Sequence, residues 1–446
     1  MTDFAIIGAG ISGLSVAWFL QQRGHSVQLF EAADQVGGSI RSFVTAGFLL
    51  EAGPNSTLEN TDALGELIAG VGLDQQLREA NPAAKRRYIL KQGELLPLPG
   101  DPLAFLKTRL FSGRGKLRLL AEPFIGRAKG REESIADFVR RRLGSEFLDW
   151  AIDPFISGVY AGDPEQLSVQ AATRKIYALE AEYRSLFIGA VRRMLQGRRS
   201  GPAPSGRMIN FAKGMQTFPL AVAASLGEAV VTGSPVSALE RDARGWQIRI
   251  EGRTDPFNAR QVVLAAPAYR TAELLEPLLP EVAEELRSIE YPPVASVAMG
   301  FRRDQIRHPL DGFGFLIPRR EGRETLGTLF SSTLFPGRAP DDHVLLTSFI
   351  GGARNPGIAD MEHVVLIDKV LADITPLLGI HGVPSLQKVS YWARAIPQYR
   401  LGYNELLGRV REGLAQQPGL HVRANWLDGI SLSDCVRNGR AFARSV

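Results

Sequence analysis

At 446 residues the chain is longer than one hydrophobic core serves, so two or three substructures are expected, and its 45% hydrophobic content is ordinary for a globular protein. No apolar run approaches the roughly twenty residues that cross a bilayer, and the N-terminus enters an apolar segment at once without a basic leader, so a cytoplasmic protein is expected. The single cysteine, Cys435, excludes an internal disulfide; the six histidines lack ligand spacing, so no metal site is expected; and the +5 net charge fits anionic substrates, anionic lipid or plain solubility, with no nucleic-acid partner expected.

The chain opens as strand, turn, helix and strand. Residues 3–7 form a short apolar run suited to a buried parallel strand, Leu14, Ala17, Trp18 and Leu20 recur at helical spacing, and Gly24 stands where a helix stops. Between strand and helix lies Gly8-Ala9-Gly10-Ile11-Ser12-Gly13. Gly8 permits the tight turn, Gly10 lets a pyrophosphate approach the backbone, and Gly13 lets helix and strand pack closely. The phosphates then sit on the positive end of the helix that Ile11 and Ser12 begin. Glu31, ending the second strand, can accept hydrogen bonds from a ribose diol and would repel a 2′-phosphate, which disfavours NADP. A dinucleotide site is expected here, against the plainer reading of an ordinary glycine loop.

Further along, residues 48–51 read as a strand running into the tight turn Gly53-Pro54-Asn55, followed by a helix over Asp62–Gly70. Residues 87–97 alternate around Gln92-Gly93 and predict a hairpin. From 102 to 194 the periodicity is mostly helical, and the part between 107 and 142 is basic and amphipathic, with Arg109, Arg114, Lys116, Arg118, Arg127, Lys129, Arg131, Arg140 and Arg141 interleaved with leucines and phenylalanines. The stretch 192–207 lacks apolar periodicity and predicts a mobile loop. A helix over Thr217–Leu226 and strands at 229–232, 235–241, 246–251 and 261–265 suggest that the first domain is completed late in the chain. Strands at 296–301 and 344–350 with a helix at 361–377 predict a separate layer, and 420–431 gives a strand and loop before a helix near Leu432.

Several of these stretches carry a resemblance. The pair Gly37-Gly38 followed by Arg41 resembles the extension that lies along FAD in the amine oxidase and phytoene desaturase group of flavoproteins; its alternative is a hairpin turn with Arg41 a solvated charge. Residues 153–164 (Asp-Pro-Phe-Ile-Ser-Gly-Val-Tyr-Ala-Gly-Asp-Pro), residues 310–318 with 326–332 and 335–340, and Asn425-Trp426-Leu-Asp-Gly429-Ile430-Ser431 resemble signatures of the oxygen-dependent protoporphyrinogen IX oxidases, a family that includes coproporphyrinogen III oxidases. The resemblance runs the length of the chain.

It implies an α/β fold, α+β overall, with a discontinuous Rossmann-like FAD-binding domain (1–80, 195–270 and 405–446), a mixed-sheet substrate domain (81–101 and 271–404) and a helical membrane-docking subdomain (102–194). It implies non-covalent FAD held by Gly8, Gly10, Ile11, Ser12, Gly13, Glu31, Gly38, Arg41, Gly53, Pro54, Asn55, Val236, Trp426, Gly429, Ile430 and Ser431. The backbone of Val236 would meet the adenine, and the 429–431 backbone the flavin pyrimidine edge. A tetrapyrrole would lie between Leu316, Leu329 and Phe349, with Arg87 on a propionate and the Gly158 loop facing the pyrrole nitrogens; Lys85 and Arg86 remain alternative anchors. Without the resemblance, Leu316, Leu329 and Phe349 read as core residues and Cys435 as a buried structural thiol.

The implied reaction is a six-electron oxidation in three rounds, each passing a hydride to flavin and then electrons to oxygen as hydrogen peroxide, with no protein acid or base required. Partners expected with it are the tetrapyrrole, oxygen and an anionic membrane surface on the inner face of the cell membrane; a homodimer is left open. Protoporphyrinogen IX is the expected substrate, because a single arginine anchor and an apolar slot leave the extra carboxylates of coproporphyrinogen III unpaired, unless Arg319 and Arg320 meet them. Other readings are an amine oxidase or desaturase, and a flavin-binding protein without turnover.

Overall fold

Five parallel strands, numbered in chain order Thr2–Ile7, Val27–Phe30, Val230–Val231, Phe257–Leu264 and Leu420–Val422, lie in the sheet order third, second, first, fourth, fifth in the computed structural model, which describes residues 1–128, 130–195 and 206–446. This is the doubly wound order, and its direction reverses between the first and fourth strands, where such sheets open a crevice at their carboxyl ends. The antiparallel hairpin Val236–Arg241 and Trp246–Ile250 extends the sheet beyond the fourth strand.

Both faces of this sheet are covered. On one side helix Ile11–Gln21 packs, buried over nearly all its length because Thr217–Leu226 and the terminal helix Leu432–Ser445 cover its outer surface; Gly439 brings the terminal helix so close that an added Cβ would sit 3.0 Å from that of Ser15. On the other side lie helices Ala268–Leu275, Pro280–Arg287 and Tyr403–Ala415. The expected domain boundary at residue 271 therefore falls inside a helix that packs on the first sheet, and the chain returns to the second sheet at Val294–Arg302.

The second sheet has the strand order Leu386–Trp392, Val294–Arg302, His343–Gly351, Thr325–Phe330, Gly312–Leu316, Arg86–Lys91 and Glu94–Pro97. Only the Gly312–Leu316 and Arg86–Lys91 pair is parallel, so the sheet is mixed. The hairpin turns at Gln92 and Gly93, both at positive φ (53° and 80°), the backbone twist that two-residue hairpin loops favour. Helix His363–Leu378 covers one face through Leu366, Val370, Ile374 and Leu378.

Between these layers the chain runs through short helices, among them Gly113–Leu120, Ile135–Arg142, Asp153–Tyr160, Arg174–Tyr183 and Leu186–Leu195. Here the basic pattern has an internal cause. Arg142 is fully buried and donates to Glu180 (Nε, 2.8 Å) and Glu122 (3.1 Å), while Arg141 is bonded to Glu133 and Glu180, and Arg140 to Glu165. Glu122 also accepts the backbone N–H of Leu186 at 2.9 Å, so a buried carboxylate ties this network to the start of helix Leu186–Leu195. Arg140 and Arg141 of the basic amphipathic run, with Arg142 at its end, are thus engaged within the subdomain. Apolar side chains also face outward beside the remaining basic ones: Leu117, Leu120, Phe124, Phe187, Ile188, Val191 and Leu195 are all exposed, Phe124 to 89%. No helix among the described residues is long and apolar enough to cross a membrane. The loop expected at 192–207 lies largely outside the described residues; its first residues end helix Leu186–Leu195, and Arg207 opens strand Arg207–Phe211.

Candidate active site

The first strand ends in the glycine turn at the reversal of sheet direction. Gly8 takes φ 104°, and a Cβ there would lie 3.1 Å from the carbonyl oxygen of Ala265 at the end of the fourth strand. A Cβ at Gly13 would be 2.0 Å from the Gly8 carbonyl oxygen, whereas one at Gly10 would meet nothing within 4 Å. The two glycines therefore differ in kind. Gly13 is demanded by the fold, and Gly10 leaves clear space beside the start of helix Ile11–Gln21, where a phosphate would be met by helix N–H groups.

Around this turn the other expected cofactor residues gather. Glu31 Oε2 accepts from the backbone N–H of Ala9 (2.7 Å) and Oε1 from that of Ala33 (3.0 Å), which fixes the carboxylate beside the turn. The carbonyl of Glu31 accepts from Ser234 (2.8 Å) and that of Ala33 from Gly233 (2.9 Å), bringing the segment before Val236 alongside. Gly37 donates to the Ala9 carbonyl at 2.8 Å, and a Cβ on Gly38 would lie 3.6 Å from Gly10 Cα, so the second glycine pair lines the first. Arg41 folds back onto the Gly38 carbonyl (3.2 Å), its own carbonyl accepts from Ala52 (2.9 Å), and Gly53 packs against the Ser39 carbonyl, where a Cβ would intrude to 2.0 Å. Asn55 is held through its carbonyl by the fully buried Asn210 (2.6 Å), and the Ala52 carbonyl by the Trp392 indole (2.7 Å).

At the far end of the chain Ser431 caps helix Leu432–Ser445, its Oγ accepting from Asp434 N (3.1 Å) and donating to the Asp434 carboxylate, with Ile430 half-buried beside it. Trp426 lies differently from expectation: its ring is fully buried in the core beneath the first sheet, its indole donates to the Ala266 carbonyl (3.1 Å), and its carbonyl accepts from Tyr403. The side chain is consumed by packing. The N–H of Gly429 donates to the Tyr399 hydroxyl at 3.2 Å, so of the 429–431 backbone this donor is committed internally. Burial raises the Tyr399 phenol well above its ordinary pKa and keeps it a neutral donor to Asn425 O. Burial likewise pushes the Cys435 thiol up to about 11, an inert structural thiol next to Ser12 and the Gly429 carbonyl.

The expected substrate residues meet on one face of the second sheet. Arg87, Gly314, Leu329 and Thr347 are paired neighbours in one row across four strands, and Ile89, Leu316, Gly327, Phe349 and Ser296 form the next row two residues along. Side chains alternate across a strand, so both rows point to the face opposite helix His363–Leu378, while Tyr88, Phe315, Phe330 and Leu346 point into the core beneath that helix. Leu316, Leu329 and Phe349 are half-buried, and glycine at 314 and 327 keeps the floor between them low.

Geometry also separates the three candidate anchors. Arg86 is ion-paired with Asp311 (2.5 Å), which the Tyr88 hydroxyl also bonds at 2.6 Å, and Lys85 is exposed on the short turn Pro82–Lys85 before the strand. Among the described residues Arg87 has no carboxylate partner, and its guanidinium lies 5.1 Å from the centre of the Phe313 ring. Gly158 is not in a loop. It stands in the last turn of helix Asp153–Tyr160, where carbonyl groups lack partners within the helix, and a Cβ on it would reach 2.5 Å from Leu316 Cδ2, so this helix crosses directly over the floor. Arg319 and Arg320 are ion-paired with Asp163 (3.3 Å) and Asp149 (2.5 Å).

One pair escaped the sequence reading. Glu51, 6% exposed at the end of strand Phe48–Glu51, accepts through Oε1 from Arg338 (2.6 Å), Asn210 (3.1 Å) and the Met215 N–H (3.0 Å), and through Oε2 from Ser42. The available signal was an acid closing an otherwise apolar strand, which must find a buried cation.

A family model described as flavin containing amine oxidoreductase matches residues 11–446, nearly the whole chain. The chain belongs to that family. Protoporphyrinogen oxidase 1 of Spinacia oleracea is 34% identical over 100% of this chain and 84% of its own length, and coproporphyrinogen III oxidase of Bacillus subtilis (strain 168) is 29% identical over 98% of this chain and 96% of its own. A crystal structure from Exiguobacterium sp. 255-15, named for protoporphyrinogen oxidase, superposes with a TM-score of 0.84 at 27% identity, covering 100% of this chain and 98% of that one. This flavin amine oxidoreductase is thus an FAD-dependent oxidoreductase of the porphyrinogen oxidase group. Its residues fit the cofactor: the space open at Gly10, the Glu31 carboxylate held beside it and the Gly37-Gly38 pair lining it make a cradle for a dinucleotide.

Proposed function

We propose that the chain oxidises a porphyrinogen to the porphyrin by removing six electrons in three rounds, with protoporphyrinogen IX the favoured substrate. The observation that supports this most is the sheet face that carries Arg87, Leu316, Leu329 and Phe349 together, opposite the face packed by helix His363–Leu378, with the carbonyl end of helix Asp153–Tyr160 over it. FAD, when bound, accepts the hydride and passes the electrons to oxygen as hydrogen peroxide. The chain's part is to bind and orient. In this reading Leu316, Leu329 and Phe349 hold the macrocycle by apolar contact and exclude water, Arg87 holds a propionate at the rim, and Gly158 offers its carbonyl to pyrrole N–H groups. The cofactor contacts are those of residues 8, 10–13, 31, 38, 41, 53–55, 236 and 429–431, within an FAD domain assembled from the three separated segments.

A second reading, coproporphyrinogen III as substrate, has the Bacillus relative behind it. It needs cations for two more carboxylates, and the nearest candidates, Arg319 and Arg320, are already compensated by Asp163 and Asp149. Anaerobic mixing of the FAD-loaded protein with each porphyrinogen, following flavin bleaching, tests the proposal. Faster bleaching with protoporphyrinogen IX is expected, a clear preference for coproporphyrinogen III selects the second reading, and bleaching with neither rejects both.

The membrane reading changes in emphasis. With Arg140, Arg141 and Arg142 paired internally, the exposed leucines and phenylalanines of 117–124 and 187–195 carry the attachment, helped by Lys107 and Arg114. Flotation with anionic vesicles should bring the protein up at low and moderate salt; failure at both would remove membrane association from the proposal.

A further inference from the structure

Arg338 lies in a stretch that the sequence singles out, Phe335-Pro-Gly-Arg338, and that no step above uses. It is 4% exposed, and only one of its two terminal nitrogens is spent: Nη1 is on Glu51 at 2.6 Å, while Nη2 has no hydrogen-bond partner. Beside it is a cavity of about 20 Å³ whose polar wall is Asn55, Ser56, Ser331 and Thr347 and whose apolar wall includes Leu329. The Ser331 and Thr347 hydroxyls are bonded to each other at 2.8 Å, so each keeps further hydrogen-bonding capacity toward a neighbour. An unpaired buried guanidinium nitrogen is costly, and nature usually meets that cost with an ordered water.

Volume and charge select the ligand. A water needs roughly 10–15 Å³ of free space and two to four polar partners, and both conditions hold here. An anion is disfavoured, because Glu51 already neutralises Arg338 and shares the site's wall. Of the surrounding groups, Asn55 and Ser56 belong to the segment assigned to the cofactor, whereas Leu329 and Thr347 belong to the substrate floor.

We infer that Arg338 is a positioning residue which, through one buried water held by its Nη2, sets the Asn55-Ser56 segment against the Leu329 and Thr347 floor and so fixes the spacing between cofactor and substrate. The inference rests on the proposed porphyrinogen reading for the roles of those two walls. The Glu51 and Arg338 pair anchors the start of the segment from below, Asn210 ties Glu51 to the Asn55 carbonyl, and the water closes the remaining gap.

The direct test is a high-resolution crystal structure of the FAD-loaded protein. One ordered water within hydrogen-bond distance of Arg338 Nη2 is expected; a dry cavity, or Nη2 satisfied by a protein group, overturns the inference. The functional test is Arg338→Lys, which keeps a charge for Glu51 and loses the second nitrogen. It should retain FAD, shift the visible flavin spectrum, and slow anaerobic bleaching at saturating porphyrinogen roughly tenfold with little change in KM, as expected when reacting groups are misplaced rather than unbound. A variant that loses only melting temperature, with spectrum and bleaching rate unchanged, would show a purely structural pair. Should Arg338→Lys fail to fold, the double variant Ser331→Ala/Thr347→Val leaves the ion pair intact and is read by the same spectrum and rate. Wild-type protein measured alongside separates the two levels: absent wild-type bleaching defeats the porphyrinogen reading, while normal wild-type bleaching with an unaltered variant defeats only the role of Arg338.

Discussion

The glycine turn at the heart of the cofactor cradle is built from consecutive residues, Gly8 to Gly13, between one strand and one helix, whereas the substrate floor is assembled from Leu316, Leu329 and Phe349 on three successive strands and Arg87 on a strand more than two hundred residues earlier. In the turn, Gly8 and Gly13 are dictated by local backbone approach: no Cβ fits between Gly13 and the Gly8 carbonyl. On the floor, each side chain could be exchanged for another of similar shape, and what makes the site is the register that puts all four on the face opposite helix His363–Leu378. The first should therefore fail abruptly under mutation and the second gradually.

The sharpest test is within the cradle itself. Gly13→Ala drives a Cβ to 2.0 Å from a backbone oxygen and should give no folded, FAD-loaded protein. Gly10→Val should behave otherwise: its side chain enters open space, so the apoprotein should fold with near wild-type melting temperature and yet lose FAD, read as the ratio of flavin to protein absorbance. If Gly10→Val keeps a full complement of FAD, the phosphates lie elsewhere and the comparison collapses.

The same contrast explains what could be read from the sequence. Strand, glycine turn, helix and Glu31 were legible because their spacing is local, and helices such as Asp62–Gly70 and Thr217–Leu226 were legible in full from periodicity and end signals. The floor was not. Leu316, Leu329 and Phe349 look like core residues in isolation, and only resemblance to a family singled them out; the pairing of Leu329 with Gly314 and Thr347 is long-range information. Trp426 makes the same point, since a motif marks a segment without saying that the ring turns into the core. The basic run before residue 142 misled because charge is visible in sequence and its buried partners Glu122 and Glu180 are not.

Next in size is a change in that hidden network. Arg142→Ala leaves Glu122 buried without its cation and Glu180 with Arg141 alone, and should destabilise the protein by roughly 3 kcal/mol, read by chemical denaturation. FAD spectrum and substrate KM of the surviving folded fraction should stay near wild type, because the network lies outside both cradle and floor.

On the floor the effects should be smaller and confined to substrate. Arg87→Ala removes a charged contact at the rim, expected to be worth about 1.5 kcal/mol or roughly tenfold. Because that contact is remote from the reacting bridge, it should raise KM and leave kcat nearly unchanged, with FAD fully retained. Loss of kcat at constant KM would put Arg87 at the reacting centre and break the picture of a rim anchor. Arg86→Ala is the control: its guanidinium already serves Asp311, so KM should hardly move.

Gly158→Ala should have the smallest effect, and its smallness is the informative part. The added methyl would meet Leu316 Cδ2 at 2.5 Å, but that atom is the tip of a flexible side chain, which can turn aside where a backbone oxygen cannot. An alanine also suits a helical position better than glycine, by at most about 0.5–1 kcal/mol, so even in the last turn stability should hold or rise slightly. The displaced Leu316 then narrows the space beneath helix Asp153–Tyr160, and KM for the porphyrinogen should increase a few-fold, roughly 1 kcal/mol at most. Melting temperature and KM would thus move in directions that cannot share a cause in global destabilisation. If instead Gly158→Ala were as destructive as Gly13→Ala, the helix would be docked on the floor as rigidly as the glycine turn is on its sheet, and the distinction between a locally dictated cradle and an adaptable floor would have to be given up.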